Sequence, residues 1–220
     1  MDSRTTPGVV LVDVDGTLVD SNYQNSLAWY RAFRRIGRVV PLWQIHRHMG
    51  MGGDQLVAAL TDDDTERELG DQLRSHWSEA FEPMLGEVAP VPGATELLRA
   101  CVDSGLQVVL ASSGAAEHIE HYLDLLGARP WVHAWTTSAD VERTKPDPSL
   151  LDVARSMTDG GPAVMVGDSP WDVEAARRAG IPAVTVLAGG YGRSELEAAR
   201  PRAVVSSLVE LVQRMDLITS

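Results

Sequence analysis

Asp13 and Asp15 are two carboxylates one residue apart that close the apolar run Val9-Val10-Leu11-Val12 and precede Gly16-Thr17. Acids so placed can attack phosphorus, exchange protons or hold a cation. The run is short, continuous and largely β-branched, as in a strand buried on both faces of a parallel sheet, and Gly16 ends it. Ligands of open α/β sheets bind beyond the carboxyl ends of the strands, so the run delivers both acids to the functional edge. Side chains alternate along a strand, so the acids start on one side and repel each other when ionised. A cation or a shared proton relieves that repulsion, and magnesium suits an oxygen-rich site with few carboxylates. Asp-Gly is also a common turn pair, and the two acids by themselves are better read as a solvated turn.

Three further segments shift that balance toward phosphoryl transfer. Gln107 to Ala111 reads as a second buried strand ending in Ser112-Ser113-Gly114, whose hydroxyls and turn amides suit an anion. Lys145 lies in Thr144-Lys145-Pro146-Asp147-Pro148, where the prolines keep the approach from being helical. Ala163 to Gly167 is another strand, with Asp168 at its tip and Asp172 one helical turn further on. Taken singly, a Ser-Ser-Gly is an ordinary turn and a lone lysine a solvated charge.

Read together, these residues resemble the four motifs of the haloacid dehalogenase superfamily of phosphohydrolases: Asp13-Val14-Asp15-Gly16-Thr17, Ser112 after an apolar strand, Lys145-Pro146-Asp147-Pro148, and Gly167-Asp168-Ser169 with Asp172. The resemblance spans Val9 to about Leu187. It implies that Asp13 is the nucleophile forming an aspartyl-phosphate, and that Asp15 is the general acid and then the base. A neighbouring ionised carboxylate raises the pKa of the acid, which would help Asp15 to carry its proton. The resemblance further implies magnesium held by Asp13, the Asp15 carbonyl and Asp168, with Asp172 orienting the shell. Lys145, Ser112 and backbone N–H groups around Gly16 and Ser113 would hold the phosphoryl oxygens.

These residues must be positioned by a scaffold. Strand and helix patterns alternate, predicting an α/β fold: a Rossmann-like, mostly parallel sheet with helices on both faces. After the second motif the pattern predicts helices over 115–126, 148–157, 171–179 and 208–217, and strands over 131–137 and 183–187. About seventy residues between the first and second motifs exceed a normal βα connection and are patterned as helices over 26–37, 42–48, 54–60 and 64–82. The resemblance makes this insertion a mobile, all-α helical cap that closes over the site and sets substrate choice. The expected domains are 1–20 and 89–220 for the catalytic core and 21–88 for the cap. Glycines amid the cap helices at Gly50, Gly52 and Gly53 permit close approach of backbone to a ligand, with His46, Arg47, Gly50 and Gly53 as candidate substrate contacts. His118 and His121 share a helix face, read as solvated rather than as a zinc site.

The chain has 220 residues, a formal charge of −12 and 44% hydrophobic residues, enough for one α/β domain plus an insertion. The acidity argues against nucleic acid or anionic membrane as partner, leaving a small-molecule phosphate ester. The single cysteine, Cys101, reads as a core residue. No apolar stretch is long enough to span a membrane, and residues 1–7 lack a signal-peptide layout, so a cytoplasmic setting is expected. Oligomeric state is left open.

Other members of the resembled superfamily differ in informative ways. Haloalkanoate dehalogenases lack the second acid, and phosphonate-cleaving members use a cap lysine, whereas this cap has none. Sugar phosphomutases of the β-phosphoglucomutase type share the cap and the motifs. They commonly carry an early cap histidine where this chain has Asn25, and a basic residue after the cap glycine where it has Met51. Both departures favour hydrolysis. A non-enzymatic phospho-aspartate receiver also combines acids, a hydroxyl and a lysine around magnesium, but receivers are shorter and place the lysine last. Phosphoglycolate, a sugar phosphate and a specialised biosynthetic ester all fit.

Overall fold

A computed structural model describes residues 8–219; the leader reading over residues 1–7 lies outside them. Each of the expected buried runs is a strand. The chain runs β1 (Val9–Val12), β2 (Val19–Asp20), then α1 (Asn22–Arg35), α2 (Leu42–His46), α3 (Gly53–Leu60) and α4 (Asp63–Phe81), a 3-10 segment over Glu82–Glu87, and β3 (Ala89–Pro90). It continues through α5 (Ala94–Asp103), β4 (Gln107–Ala111), α6 (Ala116–Leu125), β5 (Ala134–Thr136), α7 (Ser149–Ser156), β6 (Ala163–Gly167) and α8 (Pro170–Arg178). The last elements are β7 (Ala183–Val186), α9 (Arg193–Ala198), β8 (Ala203–Val205), α10 (Leu208–Gln213) and α11 (Asp216–Thr219).

Six strands form a parallel sheet in the order β5-β4-β1-β6-β7-β8. Alternation along β1 explains why the sheet is covered on both sides. Val10 and Val12 join one apolar layer with Leu97, Leu98, Tyr122 and Leu208, while Val9 and Leu11 join the other with Leu151, Val173 and Ala176. From β1 the chain crosses to β4 and β5 on one side, then returns to β6 on the other. Strand order therefore reverses at β1, which opens a crevice at its carboxyl end, where Asp13 stands.

The insertion is all-α, as expected. Its helices pack around Phe33, Ile45, Leu56 and Leu73, an apolar cluster of their own. The two chain segments joining it to the sheet pair with each other, Val19 with Pro90 and Asp20 with Ala89, in an antiparallel ribbon. Two expected elements of the core differ. The strand over 131–137 shortens to three residues, and the helix over 208–217 breaks because Arg214 leaves helical backbone, α11 restarting at Asp216. Among the described residues no helix is long and apolar enough to cross a membrane.

Candidate active site

Three adjacent strands bring their carboxyl ends together: β1 supplies Asp13, β6 supplies Asp168, and β4 supplies Ser112 on the other flank. Lys145 arrives from the segment after β5 and inserts between acids. Its Nζ donates to Asp13 Oδ1 and, at 2.8 Å, to Asp172 Oδ1. Lys145 is the only lysine in the chain. Asp13, Lys145, Asp168 and Asp172 are 4%, 0%, 1% and 0% exposed, so their charges are balanced against one another rather than by water.

Helix capping places Asp172. Ser169 caps α8, its hydroxyl accepting the Asp172 N–H at 3.2 Å, while the Ser169 N–H and hydroxyl donate to Asp172 Oδ2 at 3.1 and 2.6 Å. Oδ2 is thereby fixed and Oδ1 is turned to Lys145. Asp172 is thus primarily the counter-ion that holds the ammonium.

Thr17 sits between the two remaining acids. Its hydroxyl lies 3.1 Å from Asp13 Oδ2 and 3.0 Å from Asp168 Oδ1, yet it has one proton to give. Asp168 Oδ2 accepts from Asn22 Nδ2 at 3.0 Å, and the same amide donates to the Gly189 carbonyl. Neither Thr17 nor Asn22 was among the expected site residues. The helix expected from residue 26 starts at Asn22, and its extra first turn delivers Asn22 and Asn25 to the site.

Burial pushes the Asp13 carboxyl up to about 7, against the lowering pull of Lys145 and with the charge of Asp172 adding to the rise. Burial and then the Asp13 charge likewise raise Asp168 well above the carboxylate range. Burial alone would lower Lys145, but the Asp13 and Asp172 charges outweigh it and hold the group above its ordinary value as ammonium. Three buried carboxylates against one ammonium leave net negative charge where it is costly. Oxygens of Asp13, Asp168 and Asp172 lie within 4.8 Å of one another, a hard-oxygen set that fits a divalent cation such as magnesium.

Asp15 faces a different environment. Its Oδ1 accepts from the Ser21 hydroxyl at 2.5 Å and from Asn25 Nδ2 at 3.3 Å. With Asp13, Ser113 and Gly114 it lines a cavity of about 180 Å³ between sheet edge and cap. Ser112 lies just beneath, its Oγ accepting the Gly114 N–H at 2.9 Å, which leaves the hydroxyl proton available.

Four expectations change. The Gly16 N–H, expected near the phosphoryl oxygens, donates to the Val19 carbonyl at 2.8 Å and is engaged in a turn. Gly16 is required instead by its φ of +84°, where a Cβ would also overlap Asn22 and Asp168. His46 and Arg47 do not line the cavity; they pin the cap to the core. The Arg47 guanidinium donates to His46 Nδ1 at 2.8 Å, so Nε2 carries the proton and donates to the Gly189 carbonyl at 3.0 Å. Burial, then Arg47, lowers the His46 pKa, consistent with this neutral tautomer, and Arg47 Nε pairs with Glu195 at 2.8 Å. Gly50 and Gly53 do line the cavity, but the close approach at Gly50 is to the core: at φ +97° its Cβ would meet Ser169 Oγ at 2.3 Å. His118 is buried rather than solvated, donating to Glu82 Oε1 at 2.8 Å and packing its ring against Trp77 and Phe81 in the cavity wall. His121 stays half-buried on the outer face.

A profile of the haloacid dehalogenase-like hydrolases matches residues 7–180. The chain belongs to this family. Among curated relatives, validoxylamine A 7'-phosphate phosphatase of Streptomyces hygroscopicus subsp. limoneus is 31% identical over 187 residues, spanning 79% of this chain and 82% of its own length. Phosphoglycolate phosphatase of Pseudomonas putida is 27% identical over 217 residues, spanning 94% and 79%. A hydrolase from Pseudomonas syringae superposes with a TM-score of 0.89 at 32% identity, over 96% of this chain and 99% of that one.

Proposed function

We propose that this haloacid dehalogenase-like hydrolase is a magnesium-dependent phosphatase that hydrolyses a small phosphorylated metabolite through a phosphoryl group carried on Asp13. The observation that supports it most is the buried set of Asp13, Lys145, Asp168 and Asp172 at the switch point of the sheet, with Asp15 beside it on the cavity. Asp13, Asp168 and the Asp15 backbone carbonyl would hold the cation, with Asp172 acting through Lys145. A bound magnesium ion supplies positive charge that neutralises phosphoryl oxygens.

In the first step an Asp13 oxygen forms a bond to phosphorus as the ester P–O bond breaks, and Asp15 gives its proton to the leaving oxygen. Asp15 then takes a proton from water, whose oxygen bonds to phosphorus as the Asp13–phosphoryl bond breaks, releasing phosphate. Lys145 and the Ser112 hydroxyl hold the phosphoryl oxygens, together with the turn at Ser113. Residues 21–88 act as the cap, with the paired ribbon of β2 and β3 as its legs. The Arg47 pair with Glu195, and the Asp54 carboxylate accepting from the Thr144 N–H at 3.1 Å, seat the cap on the core.

Phosphate release from a panel of small monoesters, with and without magnesium, tests this reading. Chelation is expected to abolish release and added magnesium to restore it. Magnesium at 100 times its Kd should also stabilise the fold by about 2.7 kcal/mol, read as a rise in Tm. Asp15→Asn is expected to lower turnover of an alkyl phosphate by about 100-fold or more and that of nitrophenyl phosphate by much less, because only the poor leaving group needs the proton. Equal losses on the two esters would contradict the role of Asp15.

A further inference from the structure

We propose that the cavity selects phosphate monoesters whose leaving group is an uncharged ring, such as a sugar or cyclitol phosphate, over esters whose leaving group carries a second anion; this rests on the phosphatase reading above. Much of the cavity wall that Asp13 and Asp15 share is aromatic. Trp77 stacks between Trp29 and Phe81, with ring centroids at 5.8 and 5.2 Å and interplanar angles of 25° and 12°, and all three rings line the cavity. His118 closes the row, edge-on to Trp77 at 5.8 Å. The stacked rings give the cavity a broad apolar wall, which suits the C–H groups of a ring and carries no charge to receive an anion.

The charges around the wall point the same way. Of the described residues lining the cavity, Arg74 is the permanent cation, and it is already engaged: its two terminal nitrogens donate to Glu66 Oε1 and Asp71 Oδ1, each at 2.8 Å. His118 Nε2 is already engaged with Glu82 Oε1 at 2.8 Å. Lys145 lies beneath Asp13, bonded to two acids. A carboxylate on the leaving group would therefore shed water against aromatic rings with no uncommitted cation to receive it. Hydroxyls meet Asn25 and the backbone of the glycine segment at residues 50–53, both on the cavity.

The test compares kcat/KM for hexose 6-phosphate, inositol 1-phosphate, ethyl phosphate and phosphoglycolate with magnesium. The ring esters are expected to exceed phosphoglycolate by about 100-fold. Trp77→Ala should cost ring esters about tenfold, through KM, and ethyl phosphate less, while Trp77→Phe retains most of the preference. Met51→Arg, which adds an uncommitted cation on the cavity, should raise phosphoglycolate turnover by about tenfold relative to the ring esters. If Trp77→Ala does not fold, the wild-type panel and Met51→Arg decide the question. Phosphoglycolate turned over as well as the ring esters, or ethyl phosphate alone accepted, would overturn the substrate class and leave the phosphatase reading standing. Phosphate released from none of the four would overturn both.

Discussion

Asp13→Asn is expected to lower phosphate release by about 10⁴-fold or more while the chain keeps its fold, with a Tm within a few degrees of wild type. Asn cannot bond covalently to phosphorus as a carboxylate does, and removing a nucleophile costs nearly as much as removing the whole catalytic group. The fold survives because the amide is nearly isosteric and can still accept from Lys145 or Thr17. Burial also opposes ionisation of Asp13, raising it from 3.8 to about 7, so a neutral side chain there removes a cost as well as a contact. Circular dichroism and a phosphate-release assay on the same sample check both halves. A variant that retained most of its turnover would remove Asp13 from the chemistry.

Lys145→Met should have the largest effect on stability. The ammonium is the shared partner of Asp13 and Asp172, both buried, and its removal leaves two carboxylates facing each other without a counter-ion. Breaking a buried pair in this way costs about 3–5 kcal/mol, measured as a shift in the denaturant midpoint with chelator present. Turnover should fall by about 10²–10³-fold, the scale for losing one preorganised donor to a developing oxyanion. Adding Asp172→Asn to Lys145→Met should recover much of the stability, because one uncompensated charge is gone, and none of the turnover. Recovery of both by the double variant would mean that Lys145 serves the fold alone.

How far the site could be read from sequence depended on where each residue gets its orientation. Asp13, Ser112 and Asp168 end continuous apolar runs, and such runs become adjacent parallel strands whose ends share one crevice. Asp172 is placed by a local rule, the capping box with Ser169. Thr17, quoted in the first motif, and Asn22 were given no role because each acts on Asp168, about 150 residues away, and nothing local distinguishes their polar groups from an ordinary turn and helix start. His46 and Arg47 suggested ligand contacts from charge beside glycines. Their direction is set by packing: His46 lies against the Tyr191 ring at 5.7 Å, and Arg47 lies over the same ring at 5.5 Å, turning both toward the core. The spacing of His118 and His121 fixed a shared face but not what covers it, and the docking of α4 buries His118 alone. Short edge elements such as β8 carried too little pattern to stand out, since Arg200-Pro201-Arg202 before it reads as a loop.

The most direct test of the account is the location of the phosphoryl group during turnover. The chain is mixed with a turned-over ester and magnesium, quenched in acid, digested and mapped by mass. The account predicts one added phosphoryl group on the peptide containing Asp13, lost on hydroxylamine treatment and absent in Asp13→Asn. Continued turnover with the phosphoryl group on another residue, or with none on the protein at any time, would contradict it.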